Sequence, residues 1–270
     1  MLSFTLLALL PFVAAQSNTA TDLAGIKAHF KQSGLESTLP LSTFDPSALM
    51  TVNFPGIGDI KPGQAVSKDE SNPTPTISFT PANDTVKLDG NYTIFMIDAE
   101  VAGTAAGNLN RHWLVNSVKV SDNKLDNSSA TAITSYAGPG PDEGSGPHRY
   151  TIILYQQPTE FVQPADFREP IGVTRMDLSK YVEDAKLGSV VAANYFTVEV
   201  GTGTVSVSAT SSVDSATLSA ATATSPSGSG GAGTTTSGGS GAQNTNGAAP
   251  LNVGAAGSVL ALLSSFFFLA

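Results

Sequence analysis

Two almost uninterrupted apolar runs constrain the fold of this 270-residue chain more than any other feature of its sequence. They are "YTIFMID" at residues 92–98 and "RYTIILYQ" at residues 149–156. A strand with one face in water alternates apolar and polar side chains, whereas a strand buried on both faces is apolar almost throughout. The two runs therefore predict central strands that are covered on both sides, with polar groups confined to the strand ends.

The segments around these runs are predicted to be mostly short strands, because they are rich in β-branched or aromatic residues and are bounded by Pro, Gly or Asn. The strand candidates are residues 49–54, 76–79, 92–98, 112–120, 149–156 and 195–200. A helix is predicted over 21–33, with Thr21 or Asp22 as its cap and Gly34 at its end, and a short one over 177–185. Many short strands without alternating long helices favour an all-β-dominated fold, an antiparallel β-sandwich with a few short peripheral helices.

The beginning of the chain is typical of a cleaved signal peptide. Residues 1–15 are apolar and uncharged and end in Val13-Ala14-Ala15, the small-residue pattern of a cleavage site. The apolar run is shorter than the roughly 20 residues that a membrane span needs. An N-terminal strand or helix of the folded domain is the alternative.

The other end has the pattern of a GPI-anchor signal, with small residues, a polar spacer and an apolar tail that reaches the terminus. We predict the anchor at Asn246, with Asn244 and Gly247 as rivals, and removal of residues 247–270. A tail-anchored helix is the alternative, although no Lys or Arg follows the tail. Residues 201–246 are almost entirely Ser, Thr, Gly and Ala, which predicts a disordered, O-glycosylated stalk.

Residues 16–200 remain as a single predicted domain. It contains all thirteen Lys and Arg residues and 21 of the 22 acidic residues of the chain, and this acidic balance argues against a nucleic-acid partner. The chain has no cysteine, so a secreted domain would fold without disulfides. Three sequons, at Asn83, Asn91 and Asn127, predict N-glycosylation in the same compartment.

Three titratable residues lie at the ends of predicted strands. Asp98 ends the first apolar run, His112 begins the strand that follows, and His148 directly precedes the second run. The ends of antiparallel neighbours meet at one edge of a sheet, so these side chains are candidates for a shared site. The alternative is that each one satisfies only a local backbone group.

The residues around this candidate site resemble the phosphatidylethanolamine-binding protein (PEBP) family. The resemblance is carried by "YTIFMIDAE", "NRHWLVN" and above all "YAGPGPDEGSGPHRYTIILYQQP", and it extends weakly over most of residues 16–200. It implies an antiparallel β-sandwich with a small anion pocket at one end. The ligand-binding residues that it implies are Asp98, His112, Gly140, Pro141, His148 and Tyr150.

The resemblance also implies roles for these residues. The imidazoles and the tyrosine hydroxyl would donate hydrogen bonds to phosphate oxygens. Asp98 would orient an imidazole or raise its pKa, and Arg149 would pair with an acid to brace the loop. Loop glycines would adopt positive φ or let the backbone approach the anion, and Pro141 would stiffen the loop.

The sequence departs from the family pattern at several positions: Ala99, Glu100, Ala102, Asn110 and Asp142. Asp142 and Glu143 place two carboxylates at the rim of the expected pocket, where they would weaken binding of a pure anion. They would instead favour a zwitterion such as phosphoethanolamine, because its ammonium group would be attracted to them.

We therefore predict a non-enzymatic binding protein for phospholipid headgroups or similar small anions, GPI-anchored at the outer face of a fungal-type plasma membrane or in the cell wall. The alternative is an inhibitor of a secreted serine carboxypeptidase, or an extracellular regulatory scaffold, because relatives of this fold include protease inhibitors. We predict no cofactor and no metal, since the spacings of Asp98, His112 and His148 match no standard metal site. The segment "EGSGP" around Ser145 is not the nucleophile elbow of a hydrolase.

Overall fold

The structure, a computed structural model, describes residues 14–39, 41, 43–101, 109–130 and 132–203. The chain divides into two units, Met1–Ala223 and Thr224–Ala270, and every described residue belongs to the first. Residues 1–13 of the predicted signal peptide, the stalk beyond residue 203, and the anchor signal with Asn246 lie outside the described residues. Predictions for those segments stay predictions.

Within the described residues the chain forms eleven strands. They are β1 (Ala48–Phe54), β2 (Gly58–Asp59), β3 (Gln64–Ala65), β4 (Thr76–Pro81), β5 (Tyr92–Val101), β6 (Leu109–Ser121), β7 (Lys124–Asp126), β8 (Ala132–Thr134), β9 (His148–Gln156), β10 (Thr174–Met176) and β11 (Val190–Val198). All six predicted strands are present. The last one begins at Val190 instead of residue 195, and the five shortest strands of the structure were not predicted.

The same region contains four α-helices. They are α1 (Ala14–Gln32), α2 (Leu35–Thr38), α3 (Lys68–Ser71) and α4 (Leu178–Asp184). Helix α1 passes through the predicted cap at Thr21 and Asp22, because no Pro or Gly interrupts the residues before them. It ends before Gly34, because the left-handed conformation of this glycine, with φ of 71°, is incompatible with a right-handed helix. None of the described helices is both long and apolar enough to cross a bilayer.

The strands form one connected, curled sheet with the path β2-β1-β4-β7-β6-β5-β9-β11-β3, and β8 and β10 pair with β6. Every pairing is antiparallel except the short parallel pair β11–β3. The prediction of a strand-dominated, antiparallel fold with few helices is confirmed in this form. The two apolar runs are indeed central, since β5 lies between β6 and β9, and β9 lies between β5 and β11.

Both faces of the central strands are covered. Ile94 and Met96 of β5 belong to a core cluster shared with β1 and β4, which curl over that face. The next residues along the strand, Phe95 and Ile97, belong to a second cluster shared with α1 and α4. Successive residues of β5 thus enter different cores. Both sets are apolar, so the sequence of this strand does not alternate between apolar and polar residues. We call these two cores the strand-side core and the helix-side core.

Candidate functional site

The register of the sheet brings the three predicted residues to one end of the central strands. Asp98 of β5 lies opposite Tyr150 of β9 and opposite Asn110 of β6. His148 begins β9, and His112 lies near the start of β6. The rings of His112 and His148 both face Tyr150, with centroid distances of 5.3 and 6.5 Å. The predicted convergence at one sheet edge is therefore present.

His148 and Asp98 form the centre of the site. The Nδ1 atom of His148 lies 2.9 Å from Oδ2 and 3.2 Å from Oδ1 of Asp98, and both residues are buried. The hydrogen bond to Asp98 raises the pKa of His148 above its ordinary value, and the charges of Asp98, Glu100 and Asp142 act in the same direction. Burial of the imidazole opposes them. Asp98 thus orients the imidazole of His148 and raises its pKa.

The second nitrogen of His148 contacts a hydroxyl in the Gly-rich loop. Ser145 Oγ lies 3.0 Å from His148 Nε2 and 2.7 Å from the carbonyl oxygen of Asp142. The hydroxyl has one proton to donate. Every bond is satisfied at once if Ser145 donates to Asp142 and His148 is protonated at both nitrogens. The network therefore favours the imidazolium form, in agreement with the raised pKa.

His112 is held by the backbone on the other side of Tyr150. Its Nδ1 lies 3.1 Å from the carbonyl oxygen of Ala137 and 3.2 Å from that of Gly138. Carbonyls only accept, so Nδ1 carries the hydrogen. Among the described contacts Nε2 has no partner, and in the neutral ring it presents a lone pair.

Gly140, Pro141 and Tyr150 form the adjoining wall. The Gly140 amide donates to the Tyr150 hydroxyl at 3.3 Å, Pro141 is buried, and Tyr150 is fully buried. Burial first, and then the charge of Asp98, raise the pKa of Tyr150. The hydroxyl therefore stays neutral and lies behind the two imidazoles.

The loop glycines act in different ways. Gly144 and Gly146 have φ of 75° and 92°, as expected for residues that only glycine fits easily. Gly138 is needed for close approach, because a Cβ there would lie 2.7 Å from the Cα of Asn72. Gly140 has neither a positive φ nor a close neighbour, so its predicted role as a point of close approach for an anion stays a prediction.

Glu100 belongs to the site although the sequence analysis did not include it among the ligand-binding residues. Its Oε2 lies 3.6 Å from His148 Nδ1, and its amide donates to Asp98 Oδ1 at 2.8 Å. The strand register shifts between Asp98 and Val101, and Glu100 in this bulge has φ of 59°. This left-handed backbone brings a second carboxylate to the same imidazole, and nothing in the sequence indicates it.

Arg149 braces the site through the main chain. It donates to the carbonyl oxygens of Ser33 at 2.6 Å, Ala99 at 2.8 Å and Glu100 at 3.0 Å. These bonds join the end of β5 to the segment after α1, and they supply donors to carbonyls at a bulge, where the strand ladder leaves them unpaired. The charge of Asp98 also favours the guanidinium, since it raises the pKa of Arg149 against the larger lowering effect of burial.

The other departures from the family pattern lie at different distances from the centre. Asp142 is close enough to His148 to raise its pKa, whereas Glu143 approaches Gly201. Ala99 is buried in the helix-side core, and Asn110 pairs with Arg175 of β10. Ala102 lies outside the described residues.

The predicted glycosylation residues Asn83, Asn91 and Asn127 are all exposed.

The described residues contain one group with the spacing of metal ligands: one atom each of Asp98, Glu100 and His148, all within 4.8 Å of one another. A divalent cation there would have to displace the proton shared by His148 and Asp98. The order Asp98, His148, Ser145 is also that of an acid–base–hydroxyl relay. However, the Ser145 hydroxyl donates to the Asp142 carbonyl, and the raised pKa of His148 makes this imidazole a poorer acceptor of a further proton.

Comparisons with known proteins place the chain in a family. Residues 51–196 match the family model for phosphatidylethanolamine-binding protein. Carboxypeptidase Y inhibitor of Saccharomyces cerevisiae is 23% identical over 218 residues, which cover 67% of this chain and 99% of that protein. Phomoidride biosynthesis cluster protein N of Talaromyces stipitatus is 30% identical over 114 residues, or 39% of this chain. That match spans only 57% of the Talaromyces protein.

Two solved structures share the fold. The carboxypeptidase Y inhibitor in complex with its cognate proteinase has a TM-score of 0.54 at 21% identity, covering 66% of this chain and 95% of that one. Phosphatidylethanolamine-binding protein from Plasmodium vivax has a TM-score of 0.52 at 18% identity, covering 64% and 96%. Since the matching family model spans more than half of the chain, the protein belongs to the phosphatidylethanolamine-binding protein family.

Proposed function

We propose that this chain is a non-enzymatic binding protein whose site at Asp98, His112 and His148 takes the phosphate of a phospholipid headgroup or a similar small anion. The observation that supports this most directly is the buried His148, which is hydrogen-bonded to Asp98 and has a raised pKa. A charged imidazole at a strand end, beside a Gly-rich loop, attracts an anion. The donors to the anion would be Nε2 of His148, where the anion would replace Ser145 Oγ as the acceptor, and Nε2 of His112 when that nitrogen carries a hydrogen.

The acids around the site favour a zwitterionic ligand over a simple anion. Asp98 is engaged with His148, but Glu100 is only partly buried and Asp142 is exposed. A phosphoethanolamine group would place its phosphate at the imidazoles and its ammonium near these carboxylates. Inorganic phosphate would gain only the first of these contacts.

Titration calorimetry of the full chain with phosphoethanolamine and with inorganic phosphate tests the proposal. We expect tighter binding of phosphoethanolamine, a loss of both affinities in His148→Gln, and no loss in His29→Gln. The third histidine is a matched control because it contacts Tyr195 rather than Tyr150. Asp142→Asn combined with Glu143→Gln should narrow the difference between the two ligands. If the double variant prefers phosphoethanolamine over phosphate as strongly as the unaltered protein does, the assigned role of the rim acids is wrong. If the unaltered protein binds neither ligand, the anion site itself is refuted.

Inhibition of a serine carboxypeptidase is the second candidate, because carboxypeptidase Y inhibitor is among the relatives and shares the fold. Assays of carboxypeptidase Y with the full chain and with the His112→Gln/His148→Gln variant separate the two functions. Inhibition that persists in the variant would favour the second candidate. Absence of inhibition by either protein would leave the binding function alone.

We further propose that the protein is displayed at the outer face of a fungal-type cell by a GPI anchor, as the terminal sequences predict. Treatment of intact cells with a phosphatidylinositol-specific phospholipase C should release the protein. Retention of the protein after treatment, together with an intact C-terminal tail in mass spectra, would favour the tail-anchored alternative.

A further inference from the structure

Arg111 is a buried cation that forms no ion pair with any described carboxylate. It lies on β6 next to His112, but its side chain packs on the opposite face, against Phe167 at 5.3 Å from the ring centroid. Only 1% of its surface is exposed. A buried guanidinium normally requires an acidic partner, because removal of a charge from water is costly.

The hydrogen bonds of Arg111 leave most of its donors unused. Nε donates to Thr134 Oγ1 at 2.6 Å, and Nη2 donates to the carbonyl oxygen of Gly172 at 3.1 Å. Three of the five guanidinium N–H groups have no acceptor among the described residues. No carboxylate oxygen of these residues lies within 4.0 Å of the group. Burial accordingly lowers the pKa of Arg111, and the influence that opposes it comes from the Tyr181 hydroxyl and not from a carboxylate.

Arg111 forms part of the wall of a cavity of about 320 Å³. Phe167, Ile171 and Tyr181 contribute apolar and aromatic surface to the same cavity. Its volume lies at the lower end of the range for small-molecule sites, about 300–1,000 Å³. The unused Arg111 donors, aromatic walls and small volume together suit a ligand of amino-acid size.

The acids at the cavity define the second half of such a ligand. Asp177 accepts from the Lys180 amide at 2.9 Å, and Asp184 pairs with Lys180 Nζ at 2.6 Å, so both are engaged within the chain. Asp166 is exposed and has no hydrogen-bond or ion-pair partner among the described residues. Two further cations line the cavity, and both are engaged: Lys180 pairs with Asp184, and Arg175 lies 3.5 Å from Glu100. The charge of Asp166 reaches Lys180 only from beyond ion-pair distance. Arg111 and Asp166 do not pair with each other, so each is available to a group of opposite charge on a ligand.

We infer that this cavity binds a small zwitterion of the α-amino-acid class, with the ligand carboxylate on Arg111 and its ammonium group toward Asp166. The ligand side chain would lie against Phe167 and Tyr181, which favours an apolar one. The site is separate from the anion site, because the neighbouring residues Arg111 and His112 of β6 point to opposite faces of the sheet. Tyr150, beside His112, belongs to the strand-side core. It does not depend on the proposed headgroup function.

Amide NMR spectra of the full chain, titrated with L-leucine to millimolar concentration, test this inference. Leucine should shift the resonances of residues that line the cavity, such as Thr174 and Lys180. Leucine methyl ester lacks the carboxylate and should bind about tenfold more weakly or worse, as should Arg111→Met with leucine. N-acetyl-leucine and Asp166→Asn should each reduce the affinity by only about two- to fivefold, since that pair is exposed.

Glu169→Gln is the matched control, because Glu169 is exposed nearby but does not line the cavity. Its leucine affinity should equal that of the unaltered protein. If Arg111→Met does not fold, the ligand series and Asp166→Asn still decide the question. The absence of shifts with leucine, or equal binding of leucine and its methyl ester, would overturn the inference.

Discussion

Sulfate binding should weaken as the pH rises, because each imidazole of the site already uses its Nδ1 hydrogen inside the protein. In His148 that hydrogen is directed to Asp98, and in His112 to the carbonyl oxygens of Ala137 and Gly138. Each Nε2 can therefore donate to an anion only when the ring carries a second proton. Sulfate is the suitable probe, since it has no proton of its own to donate near neutral pH.

The size of the effect follows from proton linkage. If sulfate binding requires one proton on His148, the affinity falls about tenfold, or about 1.4 kcal/mol, for each pH unit above the pKa that His148 has in the protein without sulfate. Asp98 raises the pKa of His148, so the plateau of full affinity extends above the ordinary histidine value of about 6.5. Below the pKa, further acid adds nothing through this residue.

Calorimetric titrations between about pH 5 and 9, in two buffers of different ionisation enthalpy, measure both the affinity and the protons taken up. Asp98→Asn should move the loss of affinity to lower pH, because it removes the largest cause of the raised pKa. Asp142→Asn should move it less, since the charge of Asp142 raises the pKa of His148 less than Asp98 and Glu100 do. A sulfate affinity that stays constant across this range, without proton uptake, would refute the assignment of these hydrogens.

Three further predictions concern folding stability. Asp98→Asn should lower the free energy of unfolding, measured in urea, more at about pH 5 than at about pH 9. The pKa of His148 is higher in the folded than in the unfolded protein, so its protonation stabilises the fold fully below the unfolded pKa, and this stabilisation is lost as the pH rises through the folded pKa. Arg149→Met should lower the free energy of unfolding by about 3–5 kcal/mol, because two buried carbonyls and one partly buried carbonyl lose a charged donor; a loss below about 1 kcal/mol would contradict this. Gly138→Ala should cost about 1–3 kcal/mol through its clash with Asn72, and should also shift the His112 ring resonances in NMR spectra. Unchanged His112 resonances would show that the loop does not fix this ring.

The central strands were predictable because strands that are buried on both faces consist almost entirely of apolar residues. An uninterrupted apolar run can lie only between two cores, and β5 and β9 do so. The start of β11 was missed because "VVAAN" contains two alanines, which have a weak preference for strands. The strands of two or three residues, such as β3, exist only because a neighbouring strand pairs with them, and no local pattern specifies that.

The site was predictable where it depends on strand ends and was missed where it depends on backbone conformation. Asp98 and His148 follow from the positions of the apolar runs. Ser145 reaches His148 only through the turn that begins at Asp142, with its amide donating to the Asp142 carbonyl at 3.2 Å. Arg111, in the sequence "NRH", reads as a solvated charge at a strand start, and its burial results from packing of the segment around Phe167.

The bulge at the end of β5 accounts for the electrostatic character of the anion site. A left-handed conformation at a residue such as Glu100 costs about 1–2 kcal/mol, and the bulge adds carbonyls that Arg149 must satisfy. In return, Asp98 and Glu100 both lie beside one nitrogen of His148. Two carboxylates near one imidazole make its protonated form favourable without adding net positive charge to the site. A simple anion therefore meets a donor but little net attraction, whereas a ligand with its own ammonium group gains from both, which is why we favour a zwitterionic headgroup.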